Sequence, residues 1–372
     1  MQSVTADWGA CMKLLIKELR EAKGYTQKEL ADLMQVSFQT VSKWENDVNY
    51  PDITQIPKLA DVFGVSADVL LGMKPLHAEE MAVKYDEVEY WKQKRDVIKV
   101  WKKFYWNEDY FQFLVRNVWK LSKPMDVLDF GCGYGYLGSL LLPLLPKGST
   151  YSGIELDGGQ IEEAKAYFAK TDYECEFFQE NFYEFKPKKK YDFVVALFLL
   201  SNMPNPQTVL EKMKSALKPG GMILIMDANE EVEQAGYYSG LERQESGVRQ
   251  PDFVPLWEDE LARGQRDYRM GTKIPYLLKL AGFQNIQARI SDQVMIYEPS
   301  DPAKKERNED FRYVYSKQDS RQGGVGYFLN HGYSLQRANE VIDFYQRTSD
   351  YFDREDSIAV KTAGVYFVYA NL

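Results

Sequence analysis

Apolar residues recur along this chain in two rhythms. Between residues 13 and 72 they return every three or four positions in short blocks, the period of small amphipathic helices. Leu14 to Lys23 is one block, closed by Gly24-Tyr25. Thr26-Gln27-Lys28-Glu29 then reads as a capping box, because Thr and Glu can satisfy each other's unpaired backbone N–H groups. It opens a helix whose buried side is Leu30, Ala31 and Met34. After a turn at Gln35-Val36-Ser37, with Ser37 as N-cap, Phe38 to Glu45 turns Val41 and Trp44 inward. Pro51 to Gly72 adds two short helices through Leu59, Val62, Phe63, Val69 and Leu70. Residues 76–118 continue in helical spacing, with Met81, Tyr85, Val88, Trp91, Ile98, Trp101 and Tyr105 on one face. The interleaved Lys92, Lys94, Arg95, Lys99, Lys102 and Lys103 read as a solvated face.

Beyond residue 120 the rhythm changes to short apolar runs alternating with helical stretches, as in a parallel sheet. Val127 to Phe130 is a strand containing Asp129, followed by Gly131, Gly133 and Gly135 at alternate positions and then a helix start. Glycines there let backbone approach a ligand, and the helix N-terminus offers free N–H groups. Tyr151 to Glu155 is a second strand ending in an acid, where a carboxylate can bind two ribose hydroxyls. Tyr191 to Ala196 is a further strand. A helix over Thr208–Leu217, the turn Lys218-Pro219-Gly220-Gly221 and a strand from Met222 to Met226 follow. Ile274–Ala281 reads as helix, Ile286–Ile290 as strand, and Gly364–Ala370 as the closing strand.

Together these motifs resemble the S-adenosylmethionine-dependent methyltransferases of the Rossmann-like class. The resemblance covers about residues 100–290 plus the closing strand. It implies a mostly parallel α/β sheet whose last strand is antiparallel, with helical insertions at about 229–262 and 291–360. Gly133, Gly135 and Gly138 also fit G-x-G-x-x-G, so a nicotinamide or flavin enzyme competes. Asp129 before the glycines and the Pro-Gly-Gly turn favour the methyltransferase. By this resemblance Gly131, Gly133 and Gly135 would admit the cofactor, and Asp129 would order its methionyl amine. Glu155 would bind the ribose, Leu156 would lie on adenine, and Asn181 and Phe182 would flank the base. Leu197 to Asn202 would border the methyl group. Trp106 and Tyr110 would serve as a lid. Catalytic candidates are Asn202, Tyr134 over the sulfonium, and His331 if it folds in from the insertion. Tyr136, Tyr237, Tyr238, Trp257, Asp267, Tyr268 and Arg269 are candidates by position alone.

The N-terminal segment resembles the Cro-type phage-repressor helix-turn-helix, through Thr26-Gln27-Lys28-Glu29-Leu30-Ala31 and Val41-Ser42-Lys43-Trp44-Glu45-Asn46. The resemblance implies a small all-α domain whose Phe38–Glu45 helix enters a DNA major groove. Gln39 and Thr40 would face bases, Ser37 and Lys43 would lie at the same surface, and Gln27 would meet phosphate. Phe38 stands where the family often carries a basic residue, and Asp47 where it carries Gly.

Charge modifies the picture. The net charge is −9, and residues 1–75 hold eight Lys/Arg against ten Asp/Glu, little for phosphate neutralisation. Three cysteines, Cys11, Cys132 and Cys175, in 372 residues fit a reducing compartment. No signal segment or long apolar span is read, so a cytoplasmic protein off the membrane is expected. No zinc spacing is present. The place of the Pro-Pro-aromatic tetrapeptide of amino-methylases reads Ser201-Asn202-Met203-Pro204, which argues against a DNA base as acceptor. The expectation is therefore three segments: 1–75 helix-turn-helix, 76–118 helical linker and lid, and 119–372 methyltransferase. It would act on a small molecule, bind DNA through residues 13–72 or form a homodimer. The alternative is a transcriptional regulator that uses the methyltransferase-like fold as a ligand sensor.

Overall fold

The computed structural model describes residues 14–22, 25–46, 48–63, 65–71, 99–245, 250–319 and 325–372. The chain forms two compact units. One comprises residues 1–95, 249–256 and 315–350, and the other 96–248, 257–314 and 351–372. The expected contacts of Met81, Tyr85, Val88, Trp91 and Ile98, the glycines at 323 and 324, and Asp47 lie outside the described residues.

In the first unit the helices Ile16–Ala22, Gln27–Met34, Phe38–Glu45, Ile56–Phe63 and Ala67–Leu70 follow the sequence pattern. The capping box is present: Glu29 N–H donates to Thr26 Oγ1 at 3.2 Å and Thr26 N–H to Glu29 Oε2 at 2.7 Å. Ser37 Oγ accepts from Thr40 N–H at 3.1 Å. Leu30, Ala31, Met34, Val41, Trp44, Leu59 and Phe63 form the buried interior. Beneath it, Arg20 forks onto Glu45, with Nε at 2.5 Å from Oε1 and Nη2 at 3.0 Å from Oε2. Also in this unit, helices Val325–Asn330 and Leu335–Phe352 bracket a turn, the second reaching two residues past the boundary.

The second unit is built on ten strands. They are β1 (Asp126–Phe130), β2 (Thr150–Glu155), β3 (Glu174–Gln179), β4 (Tyr191–Leu197) and β5 (Leu217–Ala228). β6 (Tyr237–Ser239), β7 (Gln284–Ile290), β8 (Val294–Tyr297), β9 (Ala359–Thr362) and β10 (Val365–Asn371) complete them. Seven form one sheet in the order β3-β2-β1-β4-β5-β10-β7. The pairs among β1 to β5 are parallel, and β10 runs antiparallel to both neighbours. The remaining three form a small sheet, β6-β9-β8.

Central strands are buried on both faces, which is why they read as unbroken apolar runs. Leu128, Phe130, Val194 and Ala196 face a core closed by helices Pro206–Ala216 and Met270–Leu280. Val127, Phe193 and Val195 face the opposite core with Tyr151, Leu137, Leu141, Trp106 and Leu114. By alternation Asp129 points to this second side. Residues 99–118 are not one helix. A short helical turn at Lys102–Phe104 gives way to extended Asn107, and Glu108–Phe113 restarts. The break lets Phe104 and Trp106 both be buried, which a straight helix with a solvated basic face does not allow.

Candidate active site

The loop after β1 is shaped by its glycines. Gly131, Gly133 and Gly135 have φ of +72°, +56° and +80°, a region costly for other residues. A Cβ on Gly135 would sit 2.6 Å from the Phe168 ring. The backbone N–H groups of Gly131 and Cys132 both donate to Ile154 O, which ties the loop to the end of β2. There Glu155 turns back onto it. Oε2 accepts from Gly133 N–H at 3.1 Å, and Oε1 from Leu156 and Asp157 N–H at 2.8 and 3.1 Å. Leu156 is exposed beside it.

Asp129 lies in the floor of this loop, 1 % exposed. One carboxylate oxygen accepts from Tyr151 Oη–H, and the other, Oδ1, is buried without a hydrogen bond among the described residues. Enclosure pushes its pKa up to about 7, against the opposing pull of the Tyr151 hydroxyl and the Lys102 charge. Tyr151 also explains Gly138: a Cβ there would meet the tyrosine ring at 2.6 Å. Phe182 is buried after β3, whereas Asn181 spends its side-chain oxygen on Tyr183 N–H at 3.0 Å.

A strap from Lys99 to Tyr110 spans two sides of this loop. The Lys102 ammonium stands over the rings of Tyr134 and Tyr136, at 4.4 and 5.0 Å, and burial lowers its pKa to about 8. Tyr136 Oη–H donates to Lys102 O at 3.1 Å. Trp106 is buried between Tyr136 and Phe367, and Tyr110 bonds through its hydroxyl to Ile290 O. Tyr105 lies on Phe198, with ring centroids 4.4 Å apart.

Phe198 directly follows β4 and has φ +52°, an uncommon setting for a bulky residue. Its N–H donates to Met226 O on β5, and its carbonyl accepts from Asn202 Nδ2–H at 2.9 Å. A charged group lies around Tyr105. Arg266 Nη2 lies 3.1 Å from Glu230 Oε1, and Lys361 pairs with Glu233. Each cation also rests on a ring, Arg266 on Tyr268 at 4.6 Å and Lys361 on Trp101 at 4.4 Å. Asp227, at the end of β5, accepts from Ser201 and Ala228 N–H groups. Arg269 lies over Trp257 and pairs with Glu231. Asp267 is held by Lys273 at 2.6 Å.

With the loop, the acid pair and the sheet order in hand, comparison decides the family. Residues 103–288 match the family model described as "Methyltransferase domain". The chain belongs to the methyltransferase-domain family. Its sheet order is that of a Rossmann-like domain, and residues 16–70 match a helix-turn-helix model beside it. Curated relatives include the ubiquinone biosynthesis O-methyltransferases of Salmonella enteritidis PT4 (strain P125109) and Salmonella newport (strain SL254). Each is 30% identical over 105 residues, 28% of this chain and 42% of the relative. The chain thus spans less than half the length of these relatives. Similar solved structures include phosphoethanolamine N-methyltransferase 2 of Haemonchus contortus, at 14% identity and TM-score 0.40 over 71% of this chain and 52% of that one. A methyltransferase structure from Bacillus halodurans C-125 is 13% identical, with TM-score 0.37 over 74% and 98%.

Within the methyltransferase domain the structure brings together Asp129, Gly131, Gly133, Gly135, Glu155 and Leu156 at one loop, with Tyr134 over it. Leu197 and Asn202 stand at the end of β4. His331 belongs to the other unit, in the turn after helix Val325–Asn330, where Nδ1 lies 2.7 Å from Tyr327 O. Tyr237 and Tyr238 form β6, with Tyr238 exposed. Sequence reasoning missed Lys102, Tyr105, Glu230 and Arg266. Lys102 reads as one of a basic run; the signal for Glu230 was a carboxylate three residues after the buried acid of β5. In the helix-turn-helix domain Gln39 and Lys43 are exposed, Thr40 Oγ1 bonds Ser37 Oγ, and Gln27 Nε2–H donates to Glu45 at 2.7 Å.

Proposed function

We propose that this chain moves a methyl group from S-adenosylmethionine to a small-molecule acceptor. The buried, unpartnered Oδ1 of Asp129 carries the reading. A buried acceptor of that kind is costly unless something arrives to satisfy it, and the methionyl ammonium is such a donor. The residues fit the group: Asp129 for the amine, Gly131, Gly133 and Gly135 for close approach, Glu155 for the ribose, and Leu156, Asn181, Phe182 and Leu197 around the base and the methyl carbon. S-adenosylmethionine supplies the electrophilic methyl group. The chain's own work is to hold the acceptor in line and exclude water, which Trp106, Tyr105 and Phe198 do from the strap and β4. The relatives' names, ubiquinone biosynthesis O-methyltransferases, support a small acceptor. Among the described residues no helix is long and apolar enough to cross a membrane.

The helix-turn-helix match supports a second role, DNA binding through Gln39, Thr40, Lys43 and Ser37, with the methyltransferase fold acting as a ligand sensor or with dimerisation as its purpose. Titration calorimetry tests the main reading. S-adenosylmethionine should bind at micromolar to submillimolar concentration, and Glu155→Ala should weaken it at least tenfold. Silence at millimolar cofactor ends the proposal.

A further inference from the structure

The ends of β4 and β5 carry a carboxylate that the cofactor reading does not use. Glu230 begins the helix Glu230–Ala235, and its N–H donates to Tyr268 O at 2.8 Å. Its side chain keeps 29% of its surface. Oε1 is held by Arg266 at 3.1 Å, while Oε2 has no hydrogen bond among the described residues. A carboxylate fixed through one oxygen, with the other outside any hydrogen bond among the described residues, is poised to take a proton. The groups facing it are Glu233 on its own helix, Asp227 on β5, Arg266, Lys361 on β9, and the hydroxyls of Tyr105 and Tyr268. Loss of solvation and the Glu233 charge push its pKa above the usual carboxylate range. Three carboxylates against two already paired cations disfavour an anionic acceptor.

We propose that Glu230 is the catalytic base of the methyl transfer and that the acceptor is an uncharged, hydroxyl-bearing small molecule. This rests on the methyltransferase reading above. The acceptor oxygen bonds to the methyl carbon as the carbon–sulfur bond breaks, both its electrons passing to sulfur. The O–H proton goes to Glu230 Oε2. Tyr105 and Phe198 give the acceptor an aromatic wall, and Arg266 is a positioning residue.

The test is calorimetry on the full chain with saturating S-adenosylhomocysteine, using catechol as the hydroxyl probe and benzoate as the anionic one. Benzoate is included because Arg266 Nε is buried without a hydrogen bond among the described residues. Catechol should bind about tenfold tighter at pH 8 than at pH 5.5, since a hydroxyl donates more strongly to an ionised carboxylate. Glu230→Gln should lose that pH dependence yet bind S-adenosylhomocysteine as before, which shows that it folds. Tighter binding of benzoate, an unchanged profile in Glu230→Gln, or no catechol binding to the S-adenosylhomocysteine complex overturns the proposal. Failure of S-adenosylhomocysteine itself to bind removes the methyltransferase reading, and this inference with it.

Discussion

The Asp129 carboxyl is bonded through one oxygen to Tyr151 and left without a partner at the other. Its pKa in the folded chain is about 7, well above the ordinary aspartate range. A carboxyl raised on folding contributes stability that is fully present below the unfolded pKa and lost as pH rises through the folded one. The window here is pH 4 to 8. Asp129→Asn removes the ionisation and keeps an oxygen for Tyr151. Scanning calorimetry should therefore find the variant gaining on wild type between pH 5 and pH 8, by about 2 kcal/mol, or roughly 5 °C. The same variant should lose S-adenosylmethionine binding. Equal shifts of both proteins with pH would show that Asp129 does not titrate in this range. The strained backbone of Phe198 makes a similar point: a costly conformation stands where the acceptor would lie.

Among elements, those set by local chemistry were readable and those set by distant partners were not. The capping box at Thr26 and Glu29, the Ser37 cap and the inward Val41 and Trp44 depend on neighbours within one turn. The glycine loop and the buried runs of β1, β2 and β4 are likewise local signals. The bend at Trp106 answers to the sheet core, and Phe104 to Phe311 far along the chain, neither of which periodicity within residues 99–118 reports. Glu230 and Arg266 meet across 36 residues and Arg20 and Glu45 across 25, so their pairing is invisible in sequence. The second pair gives a prediction. Glu45 is 1% and Arg20 10% exposed at the side chain, and Arg20 also bonds Tyr25 O. Glu45→Ala strands a buried guanidinium and should cost the helix-turn-helix domain about 3 kcal/mol. A calorimetric scan of the full chain should show its transition at lower temperature. An unmoved transition would mean that water already satisfies Arg20.

For the molecule as a whole, charge sets what the helix-turn-helix domain can do. A net charge of −9, with eight Lys/Arg against ten Asp/Glu in residues 1–75, leaves little counterion release to drive binding. A gel-shift selection on random DNA should yield a preferred sequence only at low salt, below about 0.1 M. Gln39→Ala should lose the preference. Binding that ignores sequence would assign the domain to another task. The sheet carries a kinetic consequence. β10 joins β5 to β7, yet the chain makes a long excursion over residues 291–364 before supplying it. Throughout that stretch of synthesis two strands present unpaired edges to the crowded cell. Newborn chains should therefore depend on holdase protection and aggregate when translation stalls within that interval.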